Sequence, residues 1–296
     1  MNLSLGPLTY CWNKQATFAY YEAIADTPID TVYLGEVICS RRRELKYKDY
    51  LELARLLSNT GKRVILSTLT LIESASELVE LKRIIDNAEF AIEANDMAAV
   101  NLALEAVVPF VAGPNLNLYN RASLDIMQKV GMTRFVMPYE LSKQWLQQVL
   151  AEKSHEFETE VLGYGYIPLA HSARCFTAKH HQKPKLDCQI ICQQYPKGIL
   201  TQTQESQPLL RLNGIQTQSA AKVNLINQMA AMSAMGVNYF RISPSGFDDI
   251  TLIKQISNRD EIDLTSINLV CPSKECNGYW YGEPGMHLQD NVTDTH

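Results

Sequence analysis

Short β-branched runs alternate with amphipathic stretches along almost the whole chain, and this alternation restricts the fold more than any other feature. Thr31-Val32-Tyr33-Leu34 has strand composition, and Tyr50 to Leu57 repeats apolar residues at the three- and four-residue spacing of a helix. Arg63 to Ser67 reads as the next strand, reached through the helix stop Thr60-Gly61. The cycle continues with helices near 74–85, 96–106, 122–130 and 142–152, and strands near 89–93, 108–112, 134–137 and 160–164. It breaks over about 168–206 and resumes with a strand at 209–212, a helix at 220–235, a strand at 237–242 and a helix at 248–257. So many βα units predict an α/β fold: one TIM-like (βα) barrel with a cysteine-bearing insertion after the seventh strand. An open doubly wound sheet is the alternative, because periodicity does not show closure. The length of 296 residues suits two ordinary domains, yet α/β barrels run to about 250 residues as one unit. Residues 1–262 therefore read as the barrel with its insertion, and residues 263–296 as an irregular tail.

An apolar fraction of 46% and a charged fraction of 20% are those of a soluble globular protein. A net charge of −5 gives no electrostatic reason to expect nucleic acid, which calls for a basic footprint. Arg41-Arg42-Arg43, followed by Glu44, is the one basic run and reads as a solvated approach to a helix. The N-terminus lacks a secretory signal, and no apolar stretch approaches the ~20 residues that span a bilayer. A cytoplasmic, reducing location is expected. No glycine-rich dinucleotide or phosphate loop occurs.

Seven cysteines in such a compartment favour a metal or redox role over disulfides. Cys175, Cys188 and Cys192 crowd one polar stretch, and Cys39 lies just past the second predicted strand. If the barrel closes, the ends of the second and seventh strands share one face, where barrel sites are built. Four convergent thiolates hold either zinc or an iron–sulfur cluster. Only Cys188 and Cys192 have zinc-knuckle spacing, which favours a cluster, while His171, His180 and His181 keep zinc open. A solvated loop with incidental thiols is the plain alternative. Cys11 reads as core packing, and Cys271 and Cys276 form at most a weak second pair.

Other polar residues follow predicted strands: Glu36, Thr68, Glu93, Asn95, Asn117, Asn120 and Glu140. Glu36, Glu93 and Glu140 are acid–base candidates, although carboxylates at a barrel rim are more often salt-bridged. A Cys–His hydrolase is conceivable beside Cys175, but no nucleophile signature surrounds any cysteine.

Several blocks of the chain resemble a known family. Ser172-Ala173-Arg174-Cys175-Phe176-Thr177-Ala178, then Lys185-Leu186-Asp187-Cys188 and Cys192, are similar to the cysteine signature of the collagenase-like U-type peptidases, family thirty-two. Tyr33-Leu34-Gly35-Glu36, Cys39-Ser40, Leu66-Ser67-Thr68-Leu69, Ile92-Glu93-Ala94-Asn95-Asp96, Pro109 to Gly113, Met137 to Ser142, Leu212 to Thr217 and Cys276 to Trp280 extend the likeness over nearly the whole chain. The resemblance is to the family's branch that serves ubiquinone biosynthesis. It implies a [4Fe-4S] cluster on Cys39, Cys175, Cys188 and Cys192. It also implies a heterodimer with the sister member UbiU, working with the lipid-binding protein UbiT in oxygen-independent hydroxylation of a ubiquinone precursor, with prephenate as oxygen donor. Arg174 and Lys179 are then candidates for tuning the cluster, and proteolysis is not expected. Leu186 interrupts the family's Lys-Asp pairing before Cys188, and Cys271 has no family counterpart.

Overall fold

The computed structural model describes residues 1–151, 156–257 and 274–289. Eight parallel strands close a ring: β1 (Asn2–Leu5), β2 (Thr31–Leu34), β3 (Arg63–Ser67), β4 (Ala91–Ala94), β5 (Phe110–Ala112), β6 (Met132–Val136), β7 (Glu158–His171) and β11 (Tyr239–Ile242). Each pairs with the next, and β11 pairs with both β7 and β1, so the open-sheet alternative is excluded. Helices α1 (Lys14–Ala25), α2 (Tyr47–Asn59), α3 (Ala75–Ile85), α4 (Met97–Glu105), α5 (Arg121–Lys129) and α6 (Lys143–Ala151) link the first seven strands. Side-chain caps fix their starts: Asn13 accepts from the Ala16 N–H, Asp96 from Ala98 and Asn120 from Ser123. Leu53, Ala54, Leu57, Leu81, Ile85, Ala99, Ala103 and Leu124 turn inward from these helices onto Val32, Leu34, Ile92 and Phe110.

The chain leaves the ring through β7. A helix of five residues, α7 (Phe176–His180), leads into the cysteine loop. Three antiparallel strands, β8 (Ile199–Gln202), β9 (Pro208–Asn213) and β10 (Gln216–Asn224), then return alongside β7. Residues 216–224 are thus strand where a helix over 220–235 is expected. Pairing with β9 over 216–219, with β7 over 222–224 and with the short tail strand 275–276 over 222–223 overrides the local helical pattern. The helical part shrinks to α8 (Met229–Ala234), followed by β11 and α9 (Asp248–Ser257). In the tail, β12 (Glu275–Cys276) adds a parallel pair to β10, and Trp280 packs into the core. Cys276 is core. Cys271 lies outside the described residues.

Polar side chains fill part of the ring's interior. Glu160 is fully buried and accepts from Ser4 Oγ (2.7 Å), Tyr33 OH (2.6 Å), Arg134 Nη1 (3.1 Å) and Arg241 Nε (2.6 Å). Arg241 also donates to Glu93 Oε1 at 2.9 Å and stacks on the Tyr33 ring. Two buried carboxyl side chains thus face two buried guanidiniums, and every member has partners. Burial alone would raise the Glu160 carboxyl, but Arg241 and Arg134 outweigh it and hold it below the ordinary range.

Gly163 sits where β7 slips register against β11. A Cβ there would stand 2.0 Å from the Phe240 ring, which is fully buried. Gly163→Ala is therefore expected to destabilise the barrel by about 1–3 kcal/mol, the usual cost of overpacking, read as a lower urea midpoint at unchanged slope.

Candidate functional site

The loops after the strands carry the site. Gly35 bends the chain as it leaves β2, with φ +150°, and a Cβ there would meet the Ser67 carbonyl oxygen at 2.2 Å. The turn delivers Glu36, whose Oε1 accepts the backbone N–H groups of Ile38 (2.9 Å) and Cys39 (3.0 Å). That carboxylate therefore shapes the loop presenting Cys39. The Arg42 N–H donates to the Cys39 carbonyl at 2.9 Å and closes the turn.

Cys175 arrives from the other side. Its Sγ accepts the Ala178 N–H at 3.4 Å at the start of α7. The Phe176 N–H donates to Gly214 O (2.8 Å) and the Ser172 N–H to Ile215 O (3.0 Å), which seat the segment on the β9–β10 turn. Cys39 and Cys175 both pack on Val37, Ile38 and Ile215, so two segments far apart in sequence share one apolar floor. Cys188 and Cys192 follow in short turns, separated by three residues, of which Gln189 and Ile190 are left-handed at φ 51° and 52°. Cys175 lies within electrostatic reach of both. Lys185 bonds Glu73 and the Ala173 carbonyl, and Arg41 donates to the Leu186 carbonyl, tying the loop down over the Cys39 side.

All four thiols are half-buried. Burial pushes Cys39 up to about 11 and raises Cys175. Cys192 goes the other way and is lowered, because interaction with the Cys11 thiol and the charge of the Arg42 guanidinium favour its thiolate over the cost of burial. Cys11, expected to be mere packing, is buried but also touches Cys192, so a fifth thiol borders the site. Among the described residues, no three Cys, His, Asp or Glu side chains converge closely enough to share one metal ion. A four-iron cube does not require that convergence, since each thiolate binds a separate corner.

Arg42 contradicts its reading as part of a solvated run. It is only 5% exposed, and its Nη1 and Nη2 donate to Thr9 O (2.6 Å) and Asn213 Oδ1 (2.7 Å). The remaining candidates sit elsewhere. Glu93 belongs to the barrel interior, bonded to Ser67, Asn95 and Arg241. Glu140 is exposed and accepts from Tyr119, and Arg174 is exposed on the loop. His181 bonds Tyr195 at 2.7 Å, and the exposed His180 stacks edge-on against it.

A separate narrow cavity opens at the barrel mouth, lined by residues including Glu93, Asn95, Tyr139, His171, Gln216 and Arg241. Its volume of about 30 Å³ admits a few waters and no aromatic ring. Burial lowers His171 to about 4, so its imidazole is neutral at pH 7 and is bonded through Nε2 to Gln216 at 3.1 Å. Val37 and Ile38 line this cavity and also floor the thiol site, so the two are neighbours.

A closed (βα) barrel whose strand-end loops gather cysteines from three segments defines the class. Residues 16–250 match the family described as Peptidase family U32, and the chain belongs to that family. Similar solved structures include the U32 peptidase Mk0906, with TM-score 0.47 and 10% identity over 83% of this chain and 94% of that one. A ligand-free form of tryptophan synthase from M. tuberculosis gives 0.47 and 10% over 86% and 92%. Dihydropteroate synthase from Anaplasma phagocytophilum gives 0.44 and 10% over 88% and 99%. With identities this low, none of them bears on the reaction. Among the described residues, no helix is long and apolar enough to cross a membrane.

Proposed function

We propose that this chain is an iron–sulfur subunit of an oxygen-independent hydroxylase in ubiquinone biosynthesis, similar to UbiV. In this reading it pairs with UbiU, is assisted by UbiT, and uses prephenate as oxygen donor. The observation that carries the reading is the meeting of Cys39 with the loop bearing Cys175, Cys188 and Cys192 on one apolar floor. Those four thiolates would hold a [4Fe-4S] cluster, and the donor set suits it: half-buried sulfurs with no acidic ligand among them. When bound, the cluster supplies one-electron chemistry.

The chain's own residues prepare that place. Glu36 fixes the Cys39 turn through two backbone N–H groups, and Val37, Ile38 and Ile215 keep water from the inner side. The small volume of the barrel-mouth cavity, compared with the ring of a quinone precursor, supports a reading in which the ring is held at the interface with the partner. Leu169, Phe176, Leu186 and Leu200 stand exposed on β7 and the segment that follows it and supply apolar surface for such an interface.

Anoxic purification of the chain co-expressed with UbiU tests the reading. Four irons and four sulfides per chain are expected, with a paramagnetic signal on reduction. Protein lacking both iron and sulfide, or holding zinc and cleaving peptides, would overturn it.

A further inference from the structure

Arg42 is a buried charge beside the thiols whose compensation is incomplete. Its side chain is 3% exposed, and taking a guanidinium out of water costs several kcal/mol unless an anion pairs with it. Two of its donors meet neutral oxygens, those of Thr9 and Asn213. The nearest carboxylate oxygen, Glu36 Oε1, stands 3.8 Å from Nη1, beyond hydrogen-bond reach, and is already shared between the Ile38 and Cys39 N–H groups. Nε is buried and has no hydrogen-bond partner among the described residues. The turn that carries Arg42 also carries Cys39, whose carbonyl accepts the Arg42 N–H at 2.9 Å, and Cys11, Glu36 and Arg42 line one small cavity. Its position is fixed: Asn213 binds both it and the Thr9 carbonyl, and a Cβ on Gly214 would come within 2.9 Å of Nη2.

A cluster ligated by four thiolates is anionic and gains one further negative charge on reduction. A fixed cation with a free N–H beside it stabilises the reduced form more than the oxidised one and so raises the potential. We infer that Arg42 is the positioning residue that neutralises this cluster and keeps its reduction potential up. The inference rests on the iron–sulfur reading above and adds to it the residue that sets the electron's energy. Arg174 and Lys179, the cations nearest Cys175 in sequence, are solvent-exposed and their charge is screened.

The experiment is a redox titration followed by electron paramagnetic resonance on the full chain purified anoxically with its partner, alongside iron and sulfide analysis. Arg42→Gln is expected to retain iron and sulfide while lowering the midpoint potential by at least 59 mV, a tenfold change for one electron. Arg42→Lys, which keeps the charge, should recover most of the difference. Because Arg42 also ties Thr9 to the loop, a second variant leaves it in place: Asn213→Asp sets a carboxylate against Nη2, cancels the cation and should lower the potential as well. A cluster of normal content and unchanged potential in both Arg42→Gln and Asn213→Asp overturns the assignment to Arg42 alone. Wild type without iron or sulfide overturns it together with the reading beneath it.

Discussion

Cys39→Ala is expected to empty the chain of iron and sulfide while leaving the barrel folded. Cys39 is the one proposed ligand that comes from the first half of the ring, on a turn held by Glu36 and Gly35. The other three ride on the segment between β7 and β8. Removing it leaves three thiolates for four irons, and the nearest carboxylate, Glu36, is already engaged by the Ile38 and Cys39 N–H groups. The side chain is only half-buried, so its truncation should cost little stability. The contrast that makes the test sharp is Cys11→Ala. Cys11 touches Cys192 but lies outside the ligand set, so that variant should keep its full iron and sulfide content. Iron loss in Cys11→Ala with retention in Cys39→Ala would exchange the roles of the two residues. Thermal unfolding by circular dichroism separates cluster loss from misfolding.

Glu160→Gln is expected to weaken the fold by about 3–5 kcal/mol, the cost of breaking a buried ion pair and leaving charge unmatched. Glu160 takes four hydrogen bonds in the centre of the barrel, and its loss leaves Arg134 and Arg241 with too little negative charge. The same group sets a pH dependence. Its folded value lies below its unfolded value near 4.5, so its contribution is complete above that value. It is lost as pH falls through the lowered folded value. Denaturant midpoints should therefore fall in wild type as pH drops below about 4.5 and fall less steeply in Glu160→Gln. Equal slopes for the two proteins would show that Glu160 is not the group responsible.

Strands β2 to β7 are legible in the sequence because their β-branched runs are buried on both faces and read as unbroken apolar segments. Closure is not legible, since pairing of β11 with β1 and β7 is a long-range fact. The antiparallel strands beside β7 are hidden for another reason: β10 is rich in Gln, Ser and Ala, and pairing with β7, β9 and β12 makes it a strand. The four cysteines stand out by spacing and family likeness. Arg42 does not, because an Arg-Arg-Arg-Glu run looks solvated whatever its middle member does. Nor does the interior role of Glu160, whose partners come from strands β1, β2, β6 and β11. Cys11 is visible as a buried thiol, but its neighbour Cys192 lies on a loop that only the fold brings near.

The long strand β7 runs unbroken for 14 residues, first as a stave of the ring between β6 and β11 and then beside β10. Mechanically this is a cantilever with a bend at Gly163 to Gly165, where the register slips against β11 and Gly165 takes φ +129°, braced from Tyr164 outward by pairing with β10. Cys175 lies four residues past the tip, so the cysteine loop inherits the stiffness of the barrel wall. A partner that pulls on that loop would thus strain the staves themselves, and mechanical load at the thiols would be felt at the Glu160 cluster near the root.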